Sequence, residues 1–276
     1  MDLNGLPQTV QNFINDTIQY RETCSCLDYD TCQKILEYAA DTGSQKLTGL
    51  GLYYLAECYW QKGEYENTMQ CLTESVGYMK KAQMYELLAQ AHNMMGAVSD
   101  RKNNRMLALS SYYNSLKYAE KYHFYYIQGM AESNIAYTLV RMRLRQEAIQ
   151  HYRIALDCYD KSEKTYQLNY NRINCMIECG CCHMYLGEME EALQLWNKIE
   201  QILREAPESY YSKITLEMYR IPCELLKGHA EEALKLASDI LEQLSDRDVF
   251  EEIMDELVIL AGILAILPDG KYLEKL

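Results

Sequence analysis

Four cysteines and a histidine, Cys175, Cys179, Cys181, Cys182 and His183, fall within nine residues of "CMIECGCCHMY". Thiolates and imidazoles are the ligands of zinc and of redox centres, and Cys179 with Cys182 forms a C-x-x-C pair that Cys175 and His183 could complete. The spacing argues for a different use. Cys175, Cys179 and Cys182 follow i, i+4, i+7, which places all three on one face of a helix. Structural zinc sites draw ligands from two segments joined by a loop, and a thioredoxin-like motif requires a strand, turn and helix. Cysteine on a packed helix face acts as a small hydrophobe. The expectation is therefore packing, with no metal and no cofactor, and a metal or redox role for Cys175 to His183 as the least favoured alternative. Cys24 and Cys26 lie in a predicted turn without a second pair, and His92, His123, His151 and His229 are scattered one to a segment. No catalytic triplet, phosphate-cradling glycine loop or paired carboxylates stand out, so no catalytic residue is assigned and an enzyme is not expected.

The elements that carry these residues repeat along the chain. "MYLGEMEEALQLW" has a glycine turn, an acidic helix start, then alanine and a bulky residue four positions later, and "YWQKGEYENTMQCL", "LRQEAIQHYRIAL" and "LLKGHAEEALKLASDIL" share that order. Small residues pair at a separation of twelve: Ala56 with Thr68, Gly96 with Ala108, Ala136 with Ala148, and Gly180 with Ala192. Successive pairs are 40, 40 and 44 residues apart, and Ala233 follows 41 residues after Ala192. Two helices of a hairpin approach most closely where neither carries a large side chain, which explains the pairs. Tyr112, Tyr152 and Trp196 sit four residues beyond the second small residue, with Ser115, Ala155 and Ile199 three further on, and complete one buried stripe.

This constellation resembles the tetratricopeptide repeat family. The segment "YYLAECYWQKGEYENTMQCLTES" supplies Leu55, Ala56, Tyr59, Gly63 and Tyr65 at the family's positions, and later units supply Ala148, Tyr152 and Ala155, then Gly180, Gly187, Ala192 and Trp196. Asn103 and Arg143 replace the turn glycine in the second and third units, and Pro222 falls inside a first helix. The family period is about 34 residues, so a longer period implies longer helices, as in the branch found in bacterial peptide sensors and motor light chains. The resemblance implies an all-α, right-handed superhelix of roughly six hairpins. A single solenoid over 1–276 is expected, with units near 8–45, 49–86, 89–126, 129–168, 173–207 and 210–247 and a partial last unit at 249–276. That last unit stops where a helix begins, and the chain is expected to be the repeat region of a longer protein.

In the family, first helices line a concave face that takes an extended peptide or a partner helix. The matching positions here are Tyr53, Glu57 and Trp60; Asn93, Asp100 and Arg101; Asn134, Tyr137 and Arg141; and Asn174 and Tyr185. Asparagine amides can bond both the N–H and the C=O of a ligand backbone, the two arginines recur at equivalent places and can grip a carboxylate, and the aromatic rings offer rigid contact area. The alternative use of these side chains is structural, with the arginines paired to acids of the neighbouring repeat.

Composition narrows the partners. A formal charge of −13 and a pI near 4.9 repel phosphate backbones and anionic membranes, so nucleic acid and membrane are not expected as direct partners. The most apolar run, Leu257 to Leu267, is eleven residues long, against about twenty for a membrane span. Eleven cysteines without an export signal point to a reducing cytoplasm. The expected function is a non-enzymatic scaffold that binds a peptide or protein within a larger cytoplasmic signalling protein, such as a bacterial diguanylate cyclase. The alternative is self-association through the terminal hairpins, with the helix from Phe250 to Leu267 as the homodimer interface.

Overall fold

A computed structural model describes residues 29–163, 166–205 and 227–245, together with positions 8, 10–12, 14, 15, 217, 218, 220, 221 and 224. Cys24, Cys26, Pro222, the helix expected from Phe250 and the partial last unit lie outside the described residues. Every described element is a helix: α1 (Tyr29–Thr42), α2 (Gln45–Gln61), α3 (Tyr65–Lys81), α4 (Tyr85–Arg101), α5 (Arg105–Tyr122), α6 (Tyr125–Arg141), α7 (Arg145–Asp160), α8 (Tyr166–Tyr185), α9 (Met189–Glu205) and α10 (Ala230–Ser245). The chain forms two compact units, Met1–Glu163 and Lys164–Leu276.

In the first unit the helices are cut to equal length by one kind of turn. Gly43, Gly63, Gln83, Asn103, His123 and Arg143, spaced every 20 residues, all have φ between +55° and +72°. This left-handed residue ends a helix and lets the next N–H reach back over the final turn, as Glu64 does to the Tyr59 carbonyl (2.9 Å), Asn104 to Ser99 (2.8 Å) and Leu144 to Leu139 (2.9 Å). Each bond satisfies a carbonyl that the helix end would otherwise leave orphaned. The period of 40 is two such steps. Asn103 and Arg143, expected at turn positions without glycine, adopt the same conformation with φ 61° and 66°.

Packing follows the small-residue register. Helices α2 and α3, α4 and α5, and α6 and α7 pair as hairpins, α1 packs on α2, and each hairpin packs on the next. Ala56, Thr68, Ala108, Ala136 and Ala148 are fully buried, and Gly96 is so close to α5 that an added Cβ would overlap the Tyr112 ring. Ser75 Oγ donates to the Gly49 carbonyl at 2.7 Å and Ser115 Oγ to that of Ala89 at 2.8 Å, so these buried hydroxyls tie second helices to the backbone of first helices. Tyr112 and Tyr152 fill the space beside them, and each buried ring contributes roughly 1.5–3 kcal/mol.

In the second unit α8 and α9 form a hairpin of the same design, with Gly180, Ala192, Trp196 and Ile199 buried and Gly187 turning at φ +79°.

Candidate functional site

The cysteine cluster lies along α8 inside the second unit. Cys175, Cys179 and Cys182 are buried as one face, and Cys181 and His183 are closed off as well. His183 Nδ1 lies 2.6 Å from Glu188 Oε2, across the turn at Gly187. Among the described residues no group of three His, Cys, Asp or Glu side chains is placed to hold a metal ion. Burial on a helix face is the environment in which cysteine packs as a small hydrophobe.

In the first unit, the first helices α2, α4 and α6 touch in sequence, α2 against α4 and α4 against α6. Polar side chains link them in a row. Tyr53 Oη donates to Gln90 Oε1 at 3.3 Å, joining α2 to α4. Asn134 Nδ2 donates to Asn93 Oδ1 at 3.1 Å, joining α6 to α4. Two helical turns further on, Arg141 Nη1 lies 3.4 Å from the Asp100 carbonyl and 3.3 Å from its carboxylate. Both asparagines are half-buried, which leaves part of each amide open to a ligand.

The far end of this row concentrates charge and aromatic surface. The Arg141 guanidinium lies 5.9 Å from the centre of the Tyr137 ring, a cation–π distance, and Tyr137 is 43% exposed. Burial pushes the Tyr112 phenol well above its ordinary range; Asp100 and Tyr137 raise it further, while Arg101 and Arg141 pull it down. Four of the side chains singled out in the sequence thus act on one buried hydroxyl. Asp100 is itself buried, and its carboxylate holds the guanidinium that reaches toward solvent.

The remaining positions separate by burial. Tyr53 and Glu57 are closed off from solvent and support the face from within. Trp60 is half-buried with its ring 5.5 Å from that of Tyr65 on α3, and Arg101 is exposed at the end of α4. In the second unit Asn174 is half-buried on α8, and Tyr185 is 73% exposed at its end. Gln90 was absent from the sequence-based set although it sits one helical turn before Asn93, and that spacing is the signal that could have found it.

No protein-family model matches the sequence, and no curated protein matches it. Solved structures do. The apo form of RapI superposes with a TM-score of 0.71 at 11% identity, over 97% of this chain and 96% of that one. A Rap protein complexed with Competence and Sporulation Factor gives 0.67 at 16%, over 97% and 68%. A signal transduction ATPase with numerous domains and a tetratricopeptide repeat sensor, from Pyrococcus horikoshii, gives 0.68 at 13%, over 92% and 39%. At such identities the likeness shows the fold, which is that of a tetratricopeptide-like helical repeat protein.

Proposed function

We propose that the inner face of α2, α4 and α6 captures an extended peptide or protein segment, and that the chain is the non-catalytic sensory or scaffold part of a cytoplasmic signalling protein. The observation that carries this reading is the row of links between successive first helices, Tyr53 to Gln90, Asn93 to Asn134 and Asp100 to Arg141. Such links fix side chains before a ligand arrives, which lowers the ordering cost of binding. The half-open amides suit a peptide backbone, and Tyr137 with Arg101 and Arg141 supplies an aromatic and cationic end for a carboxylate. The fold shared with a Rap protein complexed with Competence and Sporulation Factor supports a binding role.

The test compares the full chain with an Asn134→Ala, Tyr137→Ala variant. Both side chains are at least partly open, so the variant is expected to melt as cooperatively as the wild type. Partners recovered from host lysate are identified by mass spectrometry, and the affinity of each synthesised segment is measured by calorimetry. A peptide bound by the wild type and weakened about tenfold or more in the variant supports the reading. Equal affinity for both proteins removes the inner face as the site.

A further inference from the structure

The turns that join first to second helices differ sharply along the chain. Those at Gly63, Gly187 and Gly228 follow the ordinary chemistry of a helix junction: glycine in the left-handed position, then acids such as Glu66, Glu190 and Glu231 in the first turn of the next helix. The second and third hairpins depart from this pattern: neither turn uses glycine, and α5 has no acid in its first turn, whereas α7 keeps Glu147. Their turns read "RKNNR" over 101–105 and "RMRLR" over 141–145, six cations and no acid. Arg143 occupies a left-handed position with φ 66°, and Arg105 and Arg145 open α5 and α7, where the helix dipole disfavours positive charge.

Apolar side chains are exposed at the same places. Met106 is 71% exposed, Leu107 48% and Leu144 39%. Arg143, Met106 and Leu107 are exposed, so burial does not account for them. Among the described residues Arg105 and Arg143 pair with no carboxylate. The two turns also lie side by side, because Arg141 at the end of α6 reaches Asp100 at the end of α4. Residues that break local rules together on one surface mark a function that the fold does not need.

We propose that this edge of the first unit, built on Arg105, Met106, Leu107, Arg143 and Leu144, docks an acidic peptide segment that carries apolar side chains. Charge complementarity identifies the occupant: the two turns, 101–105 and 141–145, carry six Lys and Arg and no acid, and although Lys102 pairs with Glu66 and Arg141 with Asp100, Arg105 and Arg143 remain, in a chain whose formal charge is −13. The apolar residues between the cations favour a peptide with alternating acids and hydrophobes over a nucleic acid, which the field of the whole chain repels. The edge is separate from the inner face, because none of its five residues belongs to the row of links.

Fluorescence anisotropy on the full chain tests the proposal, with a short labelled peptide of Glu and Asp alternating with Leu and Phe as the probe. A lysine-substituted peptide and an oligothymidylate serve as comparisons. The variant Arg143→Asn, Met106→Ser keeps a residue that tolerates the left-handed turn and changes an exposed side chain, so folding is preserved; Arg105→Gln is the second variant should the first fail to melt cooperatively. The acidic probe is expected to bind the wild type, to weaken about tenfold in the edge variants, to weaken with salt and to bind Tyr137→Ala unchanged. Four results overturn it: no binding of the acidic probe to the wild type, equal binding to the edge variants, tighter binding of the oligothymidylate, or loss only in Tyr137→Ala, which returns the ligand to the inner face. Wild-type dimerisation abolished in the edge variants would assign the edge to a second copy and also overturn it.

Discussion

At the scale of single residues, His92 shows how a side chain that does no chemistry still sets a property. It lies on α4 with its ring parallel to that of Tyr118, 6.0 Å between centres, and burial followed by the charge of Lys80 lowers its pKa from 6.5 to about 4. In the folded protein it therefore stays neutral across a range where the unfolded chain takes up a proton. Its contribution is fully present above 6.5 and is lost as pH falls toward 4, because the unfolded state binds more protons in that window. Allowing for the ring's partial exposure, the loss is on the order of 1–2 kcal/mol. Urea denaturation at the two ends of the window is expected to show a smaller drop for His92→Gln than for the wild type. An identical drop would place the acid sensitivity in the carboxylates instead.

The turns belong to the scale of elements, and they show what the fold asks of the sequence. Six turns in the first unit have one geometry, yet only two use glycine. Residues flanking the left-handed position supply the rest: Met79 with Met84, Ala119 with Phe124 and Leu139 with Leu144 stand where an apolar contact accompanies this helix end. In the second unit the same two places hold a histidine and a glutamate in opposite order, His183 with Glu188 at 2.6 Å and Glu224 with His229 at 2.8 Å. A turn this well fixed tolerates Arg143 at a cost, so Arg143→Gly is expected to stabilise the chain by about 0.5–1 kcal/mol in thermal or urea unfolding. A loss of stability would mean that the arginine makes contacts that offset its backbone strain. This level was also the most legible in the sequence. The small-residue pairs such as Ala56 with Thr68 are all buried, because a close helix crossing restricts residue type wherever it occurs. The site was legible in part. Periodicity placed Asn93, Asn134, Tyr137 and Arg141 on one run of helices, but it could not tell that Tyr53 turns inward to Gln90 or that Asp100 claims Arg141, since those outcomes depend on side-chain reach between helices.

At the scale of the molecule, the division at Glu163 coincides with the longest step in the repeat, the 44 residues between Ala136 and Gly180. Within the first unit each hairpin touches chiefly its neighbours, so stability there is a sum of local terms coupled to the next hairpin, not the property of one central core. That arrangement predicts how damage spreads. A Cβ added at Gly129 on α6 would sit 2.6 Å from the Tyr159 ring on α7, and repacking around it is expected to cost about 1–3 kcal/mol. Hydrogen exchange of Gly129→Ala should then show protection falling first in α6 and α7, less in α5, and hardly at all in α1 and α2. Equal loss in every helix of the unit would show a single cooperative block, and the inner-face links from Tyr53 to Arg141 would be the natural cause, because they run across all three first helices. The same experiment therefore asks whether those links act only on a ligand or also bind the hairpins into one body.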